Sequence, residues 1–230
     1  MKKKKYNITK FIIAVVIILI LIFGYYFYNK SQDNYNSLKI DKSEYLVFTA
    51  SEKQFGNYNQ YKPHLNIKGN LGTTINNNID EFISNFEKNN ICITYEYDLN
   101  GKILSLIIKI EDYSYVESAA ILYFRSYNIN LDKQELLTKD QVLNLFDTDT
   151  SDVETKLNSK IEEYYNELVK ENIINNKECN YSCFKKSRNF EEDMSDAEYF
   201  IRDGKLIVFK PYVYMINENS KIKYDFEIDE

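Results

Sequence analysis

Residues 91–110 read ICITYEYDLNGKILSLIIKI, and this stretch decides the fold. Ile91, Ile93, Tyr95 and Tyr97 alternate with Cys92, Thr94, Glu96 and Asp98. After a break, Leu104, Leu106, Ile108 and Ile110 alternate in the same way. A period of two puts one set of side chains on one face of a strand, so both runs read as half-buried strands. Asn100-Gly101 lies between them and predicts a type I′ turn, the connection whose twist matches two antiparallel strands. The expectation is a hairpin with an apolar face that something else must cover.

Working outward, the cover comes first. Ile75, Ile79, Phe82, Ile83 and Phe86 recur at helical spacing and predict a helix of about four turns. Upstream, Leu46–Phe48 and Tyr61–Ile67 read as short strands. Downstream, a strand is expected over Ala120–Leu131. Thr138-x-x-Gln141 and Ser151-x-x-Glu154 each have the form of a reciprocal helix cap. The second helix would bury Val153, Leu157, Ile161, Tyr164, Tyr165 and Leu168. A second hairpin spans Tyr199–Phe209 and turns at Asp203-Gly204, and a last strand is expected near Ile222–Ile228. Hairpin-linked strands with helices between them predict an α+β fold, not a doubly wound parallel sheet. The order of elements allows two lobes with a boundary near residue 132.

Ahead of this lies FIIAVVIILILIFGYYFY, residues 11–28, with no charged side chain. As a helix it would span roughly 27 Å, close to the hydrocarbon thickness of a bilayer. Lys2, Lys3, Lys4, Lys5 and Lys10 precede it, and positive charge marks the cytoplasmic side. The bulky run after Gly24 lacks the small residues a signal-peptide cleavage site needs, and no cysteine is there for lipidation. The sequence therefore predicts a cytoplasmic tail at 1–10, an uncleaved single-pass anchor at 11–28, a polar linker at 29–44 and an extracytoplasmic region at 45–230. The expected location is a bacterial cell membrane, with the bulk of the chain outside.

The net charge of −6 is unevenly spread: residues 29–230 hold 24 basic and 35 acidic side chains. A nucleic-acid binder would present a basic face, so that class is excluded. An acidic exterior instead speeds encounter with cationic partners. One histidine and three cysteines leave no basis for a His-rich metal site, and no cofactor motif is present. His64 follows Pro63 and reads as an ordinary surface or half-buried histidine. Cys179 and Cys183 have a spacing that suits a bridge within a helical turn or tight loop; two free thiols are the alternative. Cys92 reads as a buried strand thiol. Carboxylates are abundant at Glu162-Glu163, Glu191-Glu192-Asp193 and Asp225 to Glu230. A pair of them acting on a sugar would make an envelope hydrolase, but no motif isolates such a pair.

The segments PHLNIKGN at Pro63–Asn70 and INNNIDEFI at Ile75–Ile83 resemble the opening blocks of RsiV-like ectodomains. The same module accompanies the catalytic domain of PdaC-type peptidoglycan deacetylases. YEYDLNGKILSLIIKIEDYSY at Tyr95–Tyr115, YNINLDKQELLTKDQVL at Tyr127–Leu143 and YFIRDGKLIVFKPYVY at Tyr199–Tyr214 continue the pattern. In that family, membrane-anchored anti-sigma factors bind lysozyme through this region. The resemblance implies an extracytoplasmic ligand-binding protein that senses or sequesters lysozyme or a similar cationic envelope protein, without catalysis. The alternative it implies is a peptidoglycan-binding module. A ten-residue cytoplasmic end is too short for a sigma-binding domain, and the deacetylase domain is absent. By the family pattern the contact would fall on Lys210, Pro211, Tyr212 and Tyr214, around the closing hairpin.

Overall fold

The computed structural model describes residues 44–87, 89–116, 119–190, 194–215 and 223–228. The expected tail, anchor and nearly all of the linker lie outside the described residues. Among those described, no helix is long and apolar enough to cross a membrane. Residues 44–230 form one compact unit of α+β class with antiparallel sheets.

The hairpin that opened the sequence reading is the centre of the fold. Strands β3 (Ile91–Asn100) and β4 (Ile103–Val116) pair antiparallel, with Ile93 opposite Ile110 and Tyr95 opposite Ile108. The turn sits one residue later than expected. Asn100 pairs with Ile103, so the central residues are Gly101 and Lys102. Only Gly101 has a positive φ there, whereas a type I′ turn needs it at both central positions. Strand β5 (Ala119–Asn130) continues the sheet beside β4, and β6 (Glu135–Leu136) pairs with the far end of β5.

One face of this sheet is covered by helix α1 (Asn70–Ser84), which buries Ile75, Ile79 and Ile83 against Ile91, Ile93, Leu104, Leu106, Ile108 and Ile110. Phe82 and Phe86, expected on the same stripe, are only half-buried, because they sit toward the edge of the covered face. A separate hairpin of β1 (Leu46–Phe55) and β2 (Tyr58–Leu65) adds Leu46 and Leu65 to this core. It is longer than the two short apolar runs suggested. Its middle, SEKQFGNYNQ, is polar and shows no alternation, and the turn at Gly56 is set by a positive φ. The pairing runs from Leu46 opposite Leu65 to Phe55 opposite Tyr58 and is interrupted between Ala50 and Gln54. Lys53 in β1 is only 3% exposed and donates to the carbonyls of Ser84 and Phe86, just where α1 leaves its last carbonyls without intrahelical partners.

The opposite face of the central sheet carries Ile107, Ala120, Leu122 and Phe124 into a second, larger core. Against it pack strands β7 (Glu198–Arg202), β8 (Lys205–Phe209) and β10 (Asp225–Ile228), a three-stranded sheet in the order β10-β8-β7. The turn falls at Asp203-Gly204 as expected, and both residues have positive φ, as a type I′ turn requires. Helix α2 (Lys139–Asn144) opens with the capping box of Thr138 and Gln141. Helix α3 (Thr150–Lys170) buries all six residues of its expected stripe. Its cap is not Ser151 but Asp149, whose carboxylate accepts from the Asp152 N–H. Helix α4 (Tyr181–Ser187) is capped by Asn180, and β9 (Tyr212–Met215) pairs with the start of β5. The two cores are divided by the sheet and not by a point along the chain, since β4 and β5 contribute to both; residue 132 falls in the turn after β5.

Candidate functional site

Lys210 and Tyr212, the centre of the contact expected from the closing hairpin, are interior residues, 2% and 1% exposed. Lys210 Nζ lies 3.4 Å from an Asp196 carboxylate oxygen, and the Tyr212 ring packs 5.1 Å from Phe190. Neither side chain offers surface to a partner. Pro211 is half-buried beside them, and of Tyr214 only the backbone is described, opposite Ala120 in the β5–β9 pair. The Tyr212 ring serves the larger core, where strand aromatics are ordinarily found.

Cys179 and Cys183 are joined by a disulfide across the entry to α4, with their Cα atoms 5.2 Å apart. The Tyr165 hydroxyl donates to the Cys179 carbonyl, so the bridge is also tied to α3. Cys92 is half-buried in β3; burial pushes its thiol up to about 11, which keeps it protonated and unreactive at neutral pH. His64 does have an acid beside it. Its Nε2 is 2.9 Å from Asp80 Oδ1, and Lys62 also reaches Asp80. The trio joins β2 to α1. Among the described residues, no group of three His, Cys, Asp or Glu side chains could hold a metal ion.

The structure instead draws attention to the outer edge of β5. Over Ala119–Leu122 this edge is paired with β9, and over Ile129–Asn130 with β6. Between the two pairings it opens into a cleft of about 470 Å³, within the size range of small-ligand sites. Asn78, Glu81 and Phe82 of α1 and Asn85 just past its end line one side, Arg125, Ser126 and Tyr127 the floor, and Thr138, Lys139 and Glu198 the other side.

Glu198 is 8% exposed, and one of its carboxylate oxygens accepts from both the Ser126 N–H, at 2.9 Å, and the Ser126 hydroxyl, at 2.7 Å. The other oxygen faces Arg125 Nε at 3.9 Å, too long for a direct hydrogen bond. The Arg125 guanidinium rests over the Phe82 ring, 5.3 Å from its centroid. Tyr127 is 3% exposed, yet its hydroxyl has no hydrogen-bond partner among the described residues. A buried hydroxyl without a partner costs free energy, and most such groups in folded proteins are satisfied. Burial pushes the Tyr127 phenol well above its ordinary range, so it remains a hydroxyl donor at every working pH. Behind the cleft, Ser105 donates to Asn128 and Asn128 donates to the Tyr199 carbonyl, both at 2.7 Å, which locks the floor to β7.

None of these positions stands out in the sequence. Arg125 and Tyr127 lie on one strand and Glu198 on another, 73 residues beyond Arg125, and each is an ordinary strand residue by type. No protein-family model and no curated protein matches the chain.

Proposed function

We propose that the chain is a single-pass membrane protein of the bacterial cell envelope whose outer α+β unit binds a ligand without catalysis. The preferred partner is lysozyme or a similar cationic protein, bound for sensing or sequestration. The observation that carries this reading is the uneven charge: residues 1–28 hold five lysines and no acidic side chain, while residues 29–230 hold 24 basic against 35 acidic side chains. An acidic exterior raises the encounter rate with a cationic protein and makes the complex salt-sensitive. The block order shared with RsiV-like ectodomains supports the same partner. Since Lys210 and Tyr212 are interior, the contact would fall on other residues. Calorimetric titration of the full-length protein in detergent with a c-type lysozyme, beside an unrelated protein of equal positive charge, tests it. Binding to lysozyme alone is expected; binding to neither, or equally to both, removes the reading.

A second reading is favoured by a different observation. The polar cleft beside β5 has a buried hydroxyl donor and a partly satisfied carboxylate, which suits recognition of peptidoglycan. Co-sedimentation with purified wall sacculi is the expected outcome, and a protein that stays in the supernatant at all salt concentrations would remove it.

A further inference from the structure

The geometry points to the cleft between α1, β5 and Glu198 as a binding site for an uncharged, acetamido-bearing sugar, with Tyr127, Arg125 and Glu198 as its recognising groups. It rests on the second reading above, that the outer unit binds wall glycan, and assigns that reading a site.

Three features select this ligand class. First, the ionic lining is balanced: Glu81 and Glu198 face Arg125 and Lys139, so a ligand of either charge meets both attraction and repulsion. Second, the polar groups of the cleft match what a sugar offers. The Tyr127 hydroxyl needs an acceptor. Arg125 Nε and the second Glu198 oxygen stand 3.9 Å apart, a gap that a group accepting from one and donating to the other can bridge. A sugar hydroxyl does both at once, which neither a carboxylate nor an ammonium does. Asn78 and Asn85 provide amide groups on the helix side, each able to donate and accept as an acetamido group requires.

Third, the obvious rival is blocked. An exposed strand edge commonly takes an extended peptide as an added strand. Here the Glu198 carboxylate already accepts the Ser126 N–H, where the carbonyl of an added strand would have to sit. Peptide addition along β5 would first have to displace a buried carboxylate held by two hydrogen bonds.

The test is saturation-transfer NMR on the full-length protein in detergent, with triacetylchitotriose, cellotriose and an acetylated, amidated trialanine as probes. Saturation of the triacetylchitotriose acetamido methyls is expected, with cellotriose weaker and trialanine silent. Tyr127→Phe removes one oxygen and keeps the ring; it should weaken triacetylchitotriose binding roughly tenfold with no fall in the unfolding midpoint. Arg125→Gln, at a half-exposed side chain, should weaken it as well and covers the case in which the tyrosine variant fails to fold. Wild-type affinity in both variants, or displacement of the sugar by trialanine, would overturn the site. Sacculus binding that persists unchanged in both variants would leave the glycan reading standing and remove only this cleft. No binding of wild-type protein to sacculi or to any sugar probe would remove both.

Discussion

At the residue scale, polar side chains with buried or shared partners set the local energetics. Lys53 is the plainest case. Its ammonium sits at the carboxyl end of α1, the negative end of the helix dipole, and donates to the Ser84 carbonyl, which the helix leaves free, and to the Phe86 carbonyl just beyond it. Lys53→Met keeps most of the buried aliphatic volume and deletes the donor; a loss of about 1–3 kcal/mol is expected in urea denaturation. A loss within experimental error would mean that the contact is not maintained in solution. Asp80 makes a weaker, pH-dependent contribution. Partial burial opposes its ionisation, but hydrogen bonds from Lys62 and His64 outweigh that and hold the carboxyl below its usual range. A carboxylate with a depressed folded value stabilises above its unfolded value, about 3.9, and loses that contribution as pH falls through the folded one. The side chain is 44% exposed, so solvent screening keeps the effect below about 1 kcal/mol. The stability difference between wild type and Asp80→Asn should therefore be level above about pH 5 and shrink below about pH 4. A difference that instead grows on acidification would contradict the assignment.

At the element scale, α1 is placed by contact with the chain that leads into it. Gly72 lies inside the helix, and a Cβ there would stand 1.9 Å from the Ile67 carbonyl oxygen. Helix propensity alone favours alanine over glycine by about 1 kcal/mol. The clash is with backbone, which no rotamer change relieves, so Gly72→Ala is expected to destabilise by about 1–3 kcal/mol. Thermal unfolding settles the sign: a stabilised variant would mean that the loop before α1 moves aside freely. The helix boundaries follow the same local logic. Thr138 and Gln141 form their box because both orphan donors can be met reciprocally, whereas α3 starts one residue before Ser151 because Asp149 reaches the Asp152 N–H first.

At the scale of the whole molecule, one five-stranded sheet separates two hydrophobic cores and supplies side chains to both. Leu104, Leu106, Ile108 and Ile110 of β4 enter the core under α1, while Ile107 of the same strand enters the other. Arg202 clamps the layers further, with two bonds to Glu96 of β3 and one, at 2.8 Å, to Asp225 of β10. Neither core can open without exposing a face of the shared sheet. Unfolding of residues 44–230 should therefore be one cooperative transition, with far-ultraviolet dichroism and tyrosine fluorescence coincident in urea. Two separated transitions would instead mean that the layers on each side of the sheet are independent.

What the sequence determined by itself is what short-range repetition can encode. The alternation over residues 91–110, the α1 and α3 stripes, the Asp203-Gly204 turn and the Thr138 box all follow from residue type and spacing within one element. What only the tertiary structure decided is whatever depends on which elements meet. Lys210 and Tyr212 read as a surface contact along the chain, yet they are core residues once β9 pairs with β5. The β1–β2 hairpin carries no alternation through its middle because the pairing itself is interrupted there, between Ala50 and Gln54. The cleft at Tyr127 and Glu198 exists because two short strands cover the ends of β5 and leave its middle uncovered. A gap between pairings has no periodicity of its own, so no pattern along the chain announces it.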